Sequence, residues 1–451
     1  AFELSYNPFD DAITAFESYL LEYPNSPRKD EAYEFLLTVY MKSRNYEKAL
    51  ASLDQIANKD TRTKEAYQVV AFNRGVELFQ TNRLDEAEVF FNKVNTYPIN
   101  NTLTAEAMFW KAELAFKKKA FTKAVGLYNG FVQEPGAYAS PHFLDGHYGA
   151  GYALFKQKKY VSAVTSFRKF VDQNKGDDDK KLNDALMRIG DCYYVSKDYD
   201  QAISYYDRSI AMEQPMKDYA MYQKAVSFGL KGQNDKKISV LKQLIQEEVG
   251  SKYTVDAKFQ LAKTYLEQDK WNEAKGYYLD ILAMHPNSQY VKYSLVDLCL
   301  VNVKNQDNDA VVDLWNRIKT DYPNDQIVVD AYNLVESILI EEGILNDLPS
   351  VLDLSDNEIE EKVFNAAADL AITGQCNKAI PKLEDYLMKY VPGRFATAAN
   401  YYLGNCYFEN NQTSKALNAY NYVVSQPLSD YTEESLVAAA TINYNNKNYS
   451  Q

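Results

Sequence analysis

One pattern constrains this chain more than any other. An alanine followed four residues later by an aromatic residue or leucine recurs as Ala12/Phe16, Ala49/Leu53, Ala87/Phe91, Ala124/Tyr128, Ala163/Phe167 and Ala202/Tyr206. It continues with Ala274/Tyr278, Ala310/Leu314, Ala379/Leu383 and Ala416/Tyr420, and Lys237 with Leu241 fills the place between Ala202 and Ala274. Successive anchors lie 37, 38, 37, 39, 39, 35, 37, 36, 69 and 37 residues apart, the 69 being two shortened units. A fixed period of this size marks one supersecondary unit repeated, each unable to bury its apolar face alone. An ordinary helical bundle has no reason to keep it.

Within the period the residue types are ordered. Twelve residues before most anchors stands a small residue: Gly75, Ala112, Gly151, Gly190, Ala225, Ala262, Ala367 or Gly404. Three residues further on comes a large one, as at Leu78, Leu154, Tyr193, Phe228 and Tyr407. A short turn such as Ser43-Arg44-Asn45 follows, and many units close on a proline, as at Pro24, Pro98, Pro286 and Pro392. Each unit therefore reads as two amphipathic helices and a proline-containing turn. The small residues let the two backbones approach, and the aromatic after each anchor is expected to fill the gap toward the next pair. Only 17 Gly and 13 Pro among 451 residues agree with a helix-dominated chain.

Several chemistries are excluded or left without residues. A net charge of −13 with no long basic run argues against nucleic-acid binding. No stretch approaches the roughly 18 apolar residues of a membrane-spanning helix. Four cysteines without a C-x-x-C offer neither a disulfide framework nor a zinc site. Cys192 and Cys406 share one repeat position, ten residues before the anchor, with Cys299 close to it, and all three are expected to be small buried thiols. The three histidines, His142, His147 and His285, form no H-E-x-x-H, and there is no P-loop or nucleophile elbow. The run Gly176-Asp177-Asp178-Asp179 lacks calcium-loop spacing and reads as a solvated linker. No catalytic residue, metal or cofactor is expected.

The units Leu403-Gly404, Tyr407, Ala416, Tyr420 and Ile189-Gly190, Tyr193, Ala202, Tyr206 resemble the tetratricopeptide repeat, W-x2-L-G-x2-Y…A-x3-F…P. The leading Trp is missing, and most units run longer than the family's 34 residues. The resemblance covers nearly the whole chain and implies an all-α fold, a right-handed superhelical solenoid of about twelve helical hairpins whose first helices line a concave groove. In the resembled family, positions fifteen, eleven and eight residues before the anchor face that groove. Here they carry Phe72, Phe109, Tyr148, Tyr222 and Phe259, with Phe79, Phe116, Tyr152, Phe155 and Tyr194. Stacked from unit to unit, these ten would form an aromatic ladder, the expected binding site for a protein or peptide partner. The Lys, Asn and Arg with which some relatives clamp a peptide carboxylate are absent from these positions.

The spacing also bears on boundaries. Residues 1–342 are expected to form a solenoid whose first repeat is truncated, 343–357 a degenerate repeat or kink around Gly343 and Pro349, and 358–451 the last units. Phe9 opens a second helix with only eight residues before it, and a second helix opens again at Asn448, so the sequence reads as a piece of a longer repeat protein. A lipid anchor would then lie outside it. The phrase Phe16-x2-Tyr19-Leu20-x2-Tyr23-Pro24-Asn25-Ser26 resembles one in bacterial cell-envelope repeat proteins, including the outer-membrane β-barrel assembly lipoprotein and the Tol–Pal-associated periplasmic protein. The resemblance implies a non-catalytic scaffold in the periplasm or at the outer membrane, with the cytoplasm as the alternative location. The alternative function is a carbohydrate-binding helical-repeat protein resembling the starch-utilisation lipoproteins, which the short turns disfavour.

Overall fold

The computed structural model describes residues 9–176, 178–323, 325–341 and 355–447. Among these are 23 α-helices and no strand. The chain divides into two compact units, Ala1–Glu248 and Val249–Gln451. The kink expected at 343–357 lies almost wholly outside the described residues.

The first unit holds α1 (Asp10–Glu22) and six hairpins. They are α2 (Lys29–Lys42) with α3 (Tyr46–Gln55), α4 (Thr61–Gln80) with α5 (Leu84–Lys93), and α6 (Asn101–Lys117) with α7 (Phe121–Phe131). Then come α8 (Phe143–Lys156) with α9 (Tyr160–Gln173), α10 (Asp179–Val195) with α11 (Tyr199–Ile210), and α12 (Lys217–Leu230) with α13 (Asn234–Glu247). The second unit pairs α14 (Thr254–Leu266) with α15 (Trp271–Met284) and α16 (Tyr290–Lys304) with α17 (Asn308–Asp321), followed by α18 (Gln326–Glu341). Its remaining helices are α19 (Asp356–Ile372) with α20 (Cys376–Lys389), α21 (Ala396–Glu409) with α22 (Thr413–Ser425), and α23 (Thr432–Asn445). The all-α helical-repeat fold is thus as the period predicts.

The turns inside the hairpins share one device. Arg44, Asn82, Lys119, Lys158, Lys197, Asp269, Gln306 and Asn411 all have left-handed backbone, and glycine takes the same place at Gly232 and Gly374. The N–H of the next residue returns to a carbonyl five back, as from Arg83 to Leu78 (2.8 Å) and from Asp198 to Tyr193 (2.9 Å). This closes the first helix in a Schellman motif, and a left-handed non-glycine residue is accepted at about 1–2 kcal/mol because the motif satisfies orphan carbonyls.

That left-handed residue stands five positions before each anchor, and the ruler corrects one unit. Gln306 plus five is Val311, not Ala310. Val311 is fully buried and Trp315, four further on, is 2% exposed, whereas Ala310 and Leu314 are only half-buried. The sequence pattern favoured Ala310 because alanine is the usual anchor, but a β-branched side chain occupies the site here.

The small residue twelve before the anchor has a sharper role than expected. A Cβ added to Gly75 would meet Phe91 at 2.7 Å, one on Gly151 Phe167 at 2.7 Å, one on Gly190 Tyr206 at 2.7 Å, and one on Gly404 Tyr420 at 2.7 Å. The ring four residues after the anchor therefore lies on the glycine of its own hairpin. The ring also meets the next pair as expected, with Tyr128 lying 2.5 Å from a Cβ built on Gly149 and Phe91 stacked on Trp110 at 6.4 Å. Phe91, Tyr128, Phe167, Tyr206 and Tyr278 are all buried, each contributing roughly 1.5–3 kcal/mol of apolar burial.

Cysteine departs from expectation as well. Cys376 and Cys406 are joined in a disulfide, while Cys192 and Cys299 are free and buried. Cys376 opens the second helix of one hairpin and Cys406 lies in the first helix of the next, so two residues 30 apart meet across a hairpin joint. No local spacing rule records that meeting.

Candidate functional site

In the first unit, α4, α6, α8, α10 and α12 each bring the predicted aromatics to the first-helix side of their hairpin. None of the ten predicted residues is exposed. Phe109 is 5% exposed and sits in the core, stacked on the His142 ring at 4.6 Å and tilted against Phe131 at 5.3 Å. Phe72 packs on Phe91, and Phe79 on Trp110 of the next hairpin. Phe116, Phe155 and Tyr194 each lean on an aromatic at the start of their own second helix: Phe121, Tyr160 and Tyr199. Tyr222 is half-buried in α12. In the second unit Phe259 stacks on Tyr290 at 4.6 Å. The nine rings other than Phe109 keep only part of their surface open.

Tyr148 and Tyr152 show what these positions do structurally. Both hydroxyls donate to Asp184 Oδ2 on the next hairpin, Tyr148 at 2.8 Å. Burial first, and then the neighbouring carboxylate, pushes both phenols up, Tyr152 to about 12. Asp184 also faces Arg188 Nε at 3.4 Å, and Arg188 reaches Asp191 at 2.5 Å. Asp191 in turn accepts from Tyr206 at 2.9 Å and from Tyr219 of α12 at 2.8 Å, and the Arg188 guanidinium lies 5.7 Å from the Tyr219 ring. Despite burial, the Arg188 guanidinium is held above its ordinary value by these acidic partners. One hydrogen-bonded chain thus ties α8, α10, α11 and α12 together.

A second cluster lies on α6 and α8. Lys181 of α10 reaches Asp145 at 2.7 Å and His142 Nδ1 lies 3.3 Å from it. Burial pushes the Asp145 carboxyl up, but His142 and Lys181 together hold it below its ordinary value. Glu113, which accepts from Tyr128, goes the other way: burial outweighs that bond and raises it. His147 is buried in α8, and burial holds its imidazole below the ordinary value.

These partners reveal a column missed in the sequence. Eighteen residues before the anchor stand Glu106, Asp145, Asp184 and Asp256, with Tyr219 in the same column. In two of these units the side chain meets a residue fifteen or eleven before the anchor of the preceding hairpin. So Tyr148 and Tyr152 find Asp184, and Tyr219 finds Asp191. The recurrence of acids at one repeat position was the available signal. Glu106 differs from the rest. Half-buried on α6 and one turn from Trp110, it has neither hydrogen bond nor ion pair among the described residues. Of the turn lysines, Lys118 is engaged by Asp85 at 2.6 Å and Glu88 at 3.1 Å.

Among the described residues no three His, Cys, Asp or Glu side chains gather as a metal site, and no helix is long and apolar enough to cross a membrane. Fold and site together define a helical-hairpin repeat protein with a repeat-spaced aromatic and acidic face. Residues 148–215 match one tetratricopeptide-repeat family, and residues 219–250, 256–288 and 398–429 match a second of the same description. These stretches carry the sequence pattern of tetratricopeptide repeats.

No curated protein matches the chain. Among solved structures it is similar to the C-terminal part of a TPR repeat-containing protein from Cytophaga hutchinsonii, at 18% identity and a TM-score of 0.48 over 58% of this chain and 98% of that one. It is also similar to a tetratricopeptide repeat protein from Parabacteroides merdae, at 11% identity and 0.37 over 66% and 98%. YrrB, described as a TPR protein with an unusual peptide-binding site, aligns at 19% identity and 0.33 over 41% and 88%. These likenesses are too loose to carry an argument about function.

Proposed function

We propose that the chain is a non-catalytic scaffold that binds an extended segment of a partner protein along the first-helix face of its first unit. The observation that carries this reading is the repeat-spaced row of partly open aromatic rings and carboxylates on α4 to α12, with Glu106 still holding an unused charge. Half-open rings beside carboxylates suit a segment bearing basic and aromatic side chains. A location in the bacterial cell envelope is part of the proposal and rests on the Phe16–Ser26 phrase.

The test is site-specific photo-crosslinking in the organism the chain comes from. A cross-linking residue at position 106 should capture a discrete partner, and one at Val161, which is exposed on α9, should not. Glu106→Gln and Tyr152→Ala should each reduce capture by about tenfold, in keeping with hot-spot behaviour, while helical circular dichroism is retained. Equal capture from both positions would remove this face from consideration.

A further inference from the structure

Two of the four cysteines are placed to do something the interaction reading does not use. Cys376 is the first residue of α20 and Cys406 lies within α21, with Cα atoms 4.9 Å apart and the sulfurs bonded. Both are buried, at 5% and 0% exposure, inside the cluster formed by Ala379, Leu383, Leu403, Tyr407 and Tyr420. The other two, Cys192 and Cys299, are solitary, and burial pushes each thiol up to about 12. They are in the wrong protonation state to compete for the bond, since only a thiolate attacks a disulfide.

We infer that Cys376–Cys406 is a covalent staple across a hairpin joint and that the protein works in an oxidising compartment. Elsewhere in the chain such joints rest on side-chain hydrogen bonds, as where Gln68 bonds Asn100 and Thr104 of the next hairpin. Here a covalent bond is added to side-chain hydrogen bonds at the same joint, from Tyr407 to Glu384 and from Asn410 to Asn377, and it closes a 30-residue loop that takes in α20, the turn and most of α21. Disulfides persist in secreted and envelope compartments and are reduced in the cytosol. The inference needs no partner protein, so it stands or falls apart from the proposed scaffold role and shares with that proposal only the envelope location.

The chemistry balances by exchange with a small-molecule or protein disulfide, RS–SR. The thiolate of one cysteine attacks RS–SR and releases RS⁻; the second cysteine then displaces the other RS⁻ from the mixed disulfide. Two cysteine S–H bonds and one RS–SR bond are consumed, one Cys376–Cys406 bond and two RSH are formed, and the protons end on the released thiols. The reduced state has its own partner. Glu409 Oε2 lies 3.2 Å from Cys376 Sγ, a contact that becomes a hydrogen bond once that sulfur carries a proton.

The experiment uses the full chain equilibrated with excess oxidised glutathione, then denatured and alkylated without reductant. Two thiols should label, Cys192 and Cys299, with a peptide joining Cys376 to Cys406; four should label after reduction. Amide hydrogen exchange across 376–425 should quicken at least tenfold on reduction, while 148–215 stays within twofold. Four labelled thiols before reduction, a different pairing, or unchanged exchange would overturn the staple. Acid-quenched cells of the source organism settle the compartment: a bonded pair is expected, and four free thiols would overturn it.

Discussion

The Tyr206 hydroxyl donates to Asp191 at 2.9 Å, joining the second helix of a hairpin to its first across fifteen residues. The same separation links Tyr128 to Glu113 and Tyr420 to Asn405. The ring that packs on the hairpin's small residue therefore carries its polar tip to a fixed acceptor, the next residue along the first helix. A phenylalanine would fill the space but leave that acceptor short of a donor, which gives one physical reason for tyrosine at this position.

Tyr206→Phe should destabilise the chain by about 1 kcal/mol, because Asp191 keeps Tyr219 and Arg188. Tyr206→Phe combined with Tyr219→Phe should exceed the sum of the two single changes, since the buried carboxylate then loses both hydroxyl donors. Asp191→Ala should cost more, about 3 kcal/mol, by stranding Arg188 and two hydroxyls. Urea denaturation followed by circular dichroism measures all of these, and additive behaviour of the tyrosine pair would contradict the shared acceptor.

Glu113 sets a pH dependence of definite sign. Its carboxyl lies above the ordinary 4.5 in the folded chain, so the folded state holds that proton more tightly than the unfolded state does. The stability it contributes is complete below the ordinary value and is lost as pH rises through the raised one. Glu113→Gln lacks this loss. The stability of the unsubstituted chain relative to the variant should therefore decline as pH climbs from 4.5. Asp145 has the opposite sense, its contribution being lost as pH falls through its lowered value, so comparisons made above 4.5 keep the two apart. A constant difference between the two chains in urea midpoints across that range would count against the assignment.

Glycines in helices should respond in opposite directions. Gly190→Ala drives a Cβ into the Tyr206 ring, whose hydroxyl is already anchored on Asp191, and should cost about 2 kcal/mol. Gly126→Ala, in α7, meets nothing within 4 Å and should stabilise by about 0.5–1 kcal/mol through helix propensity. Thermal melts of the two variants should move to opposite sides of the parent.

The register of the α16–α17 hairpin can be checked by comparing neighbours. Trp315→Ala should cost about 3–5 kcal/mol through the cavity it opens, and Leu314→Ala about 1 kcal/mol. The buried Trp315 Nε1 has no hydrogen-bond partner among the described residues, so Trp315→Phe should be milder than Trp315→Ala. Equal losses at 314 and 315 would restore the register that the alanine pattern suggests.

What the amino-acid order determined by itself is the architecture: a 37-residue period, two helices per unit, and a small residue and a ring at fixed places in each. These are readable because each repeat solves the same local packing problem and so repeats the same residue types. At Ala310 that logic misled by one position, because the left-handed turn at Gln306, not the alanine, sets the register. Only the tertiary structure decided that Tyr148 and Tyr152 share Asp184, that Glu106 has no partner among the described residues, and that Cys376 and Cys406 are one bond. Those facts depend on contacts between side chains some 30 residues apart on successive hairpins. The rise and rotation from one hairpin to the next choose these contacts, and no short spacing in the chain records them.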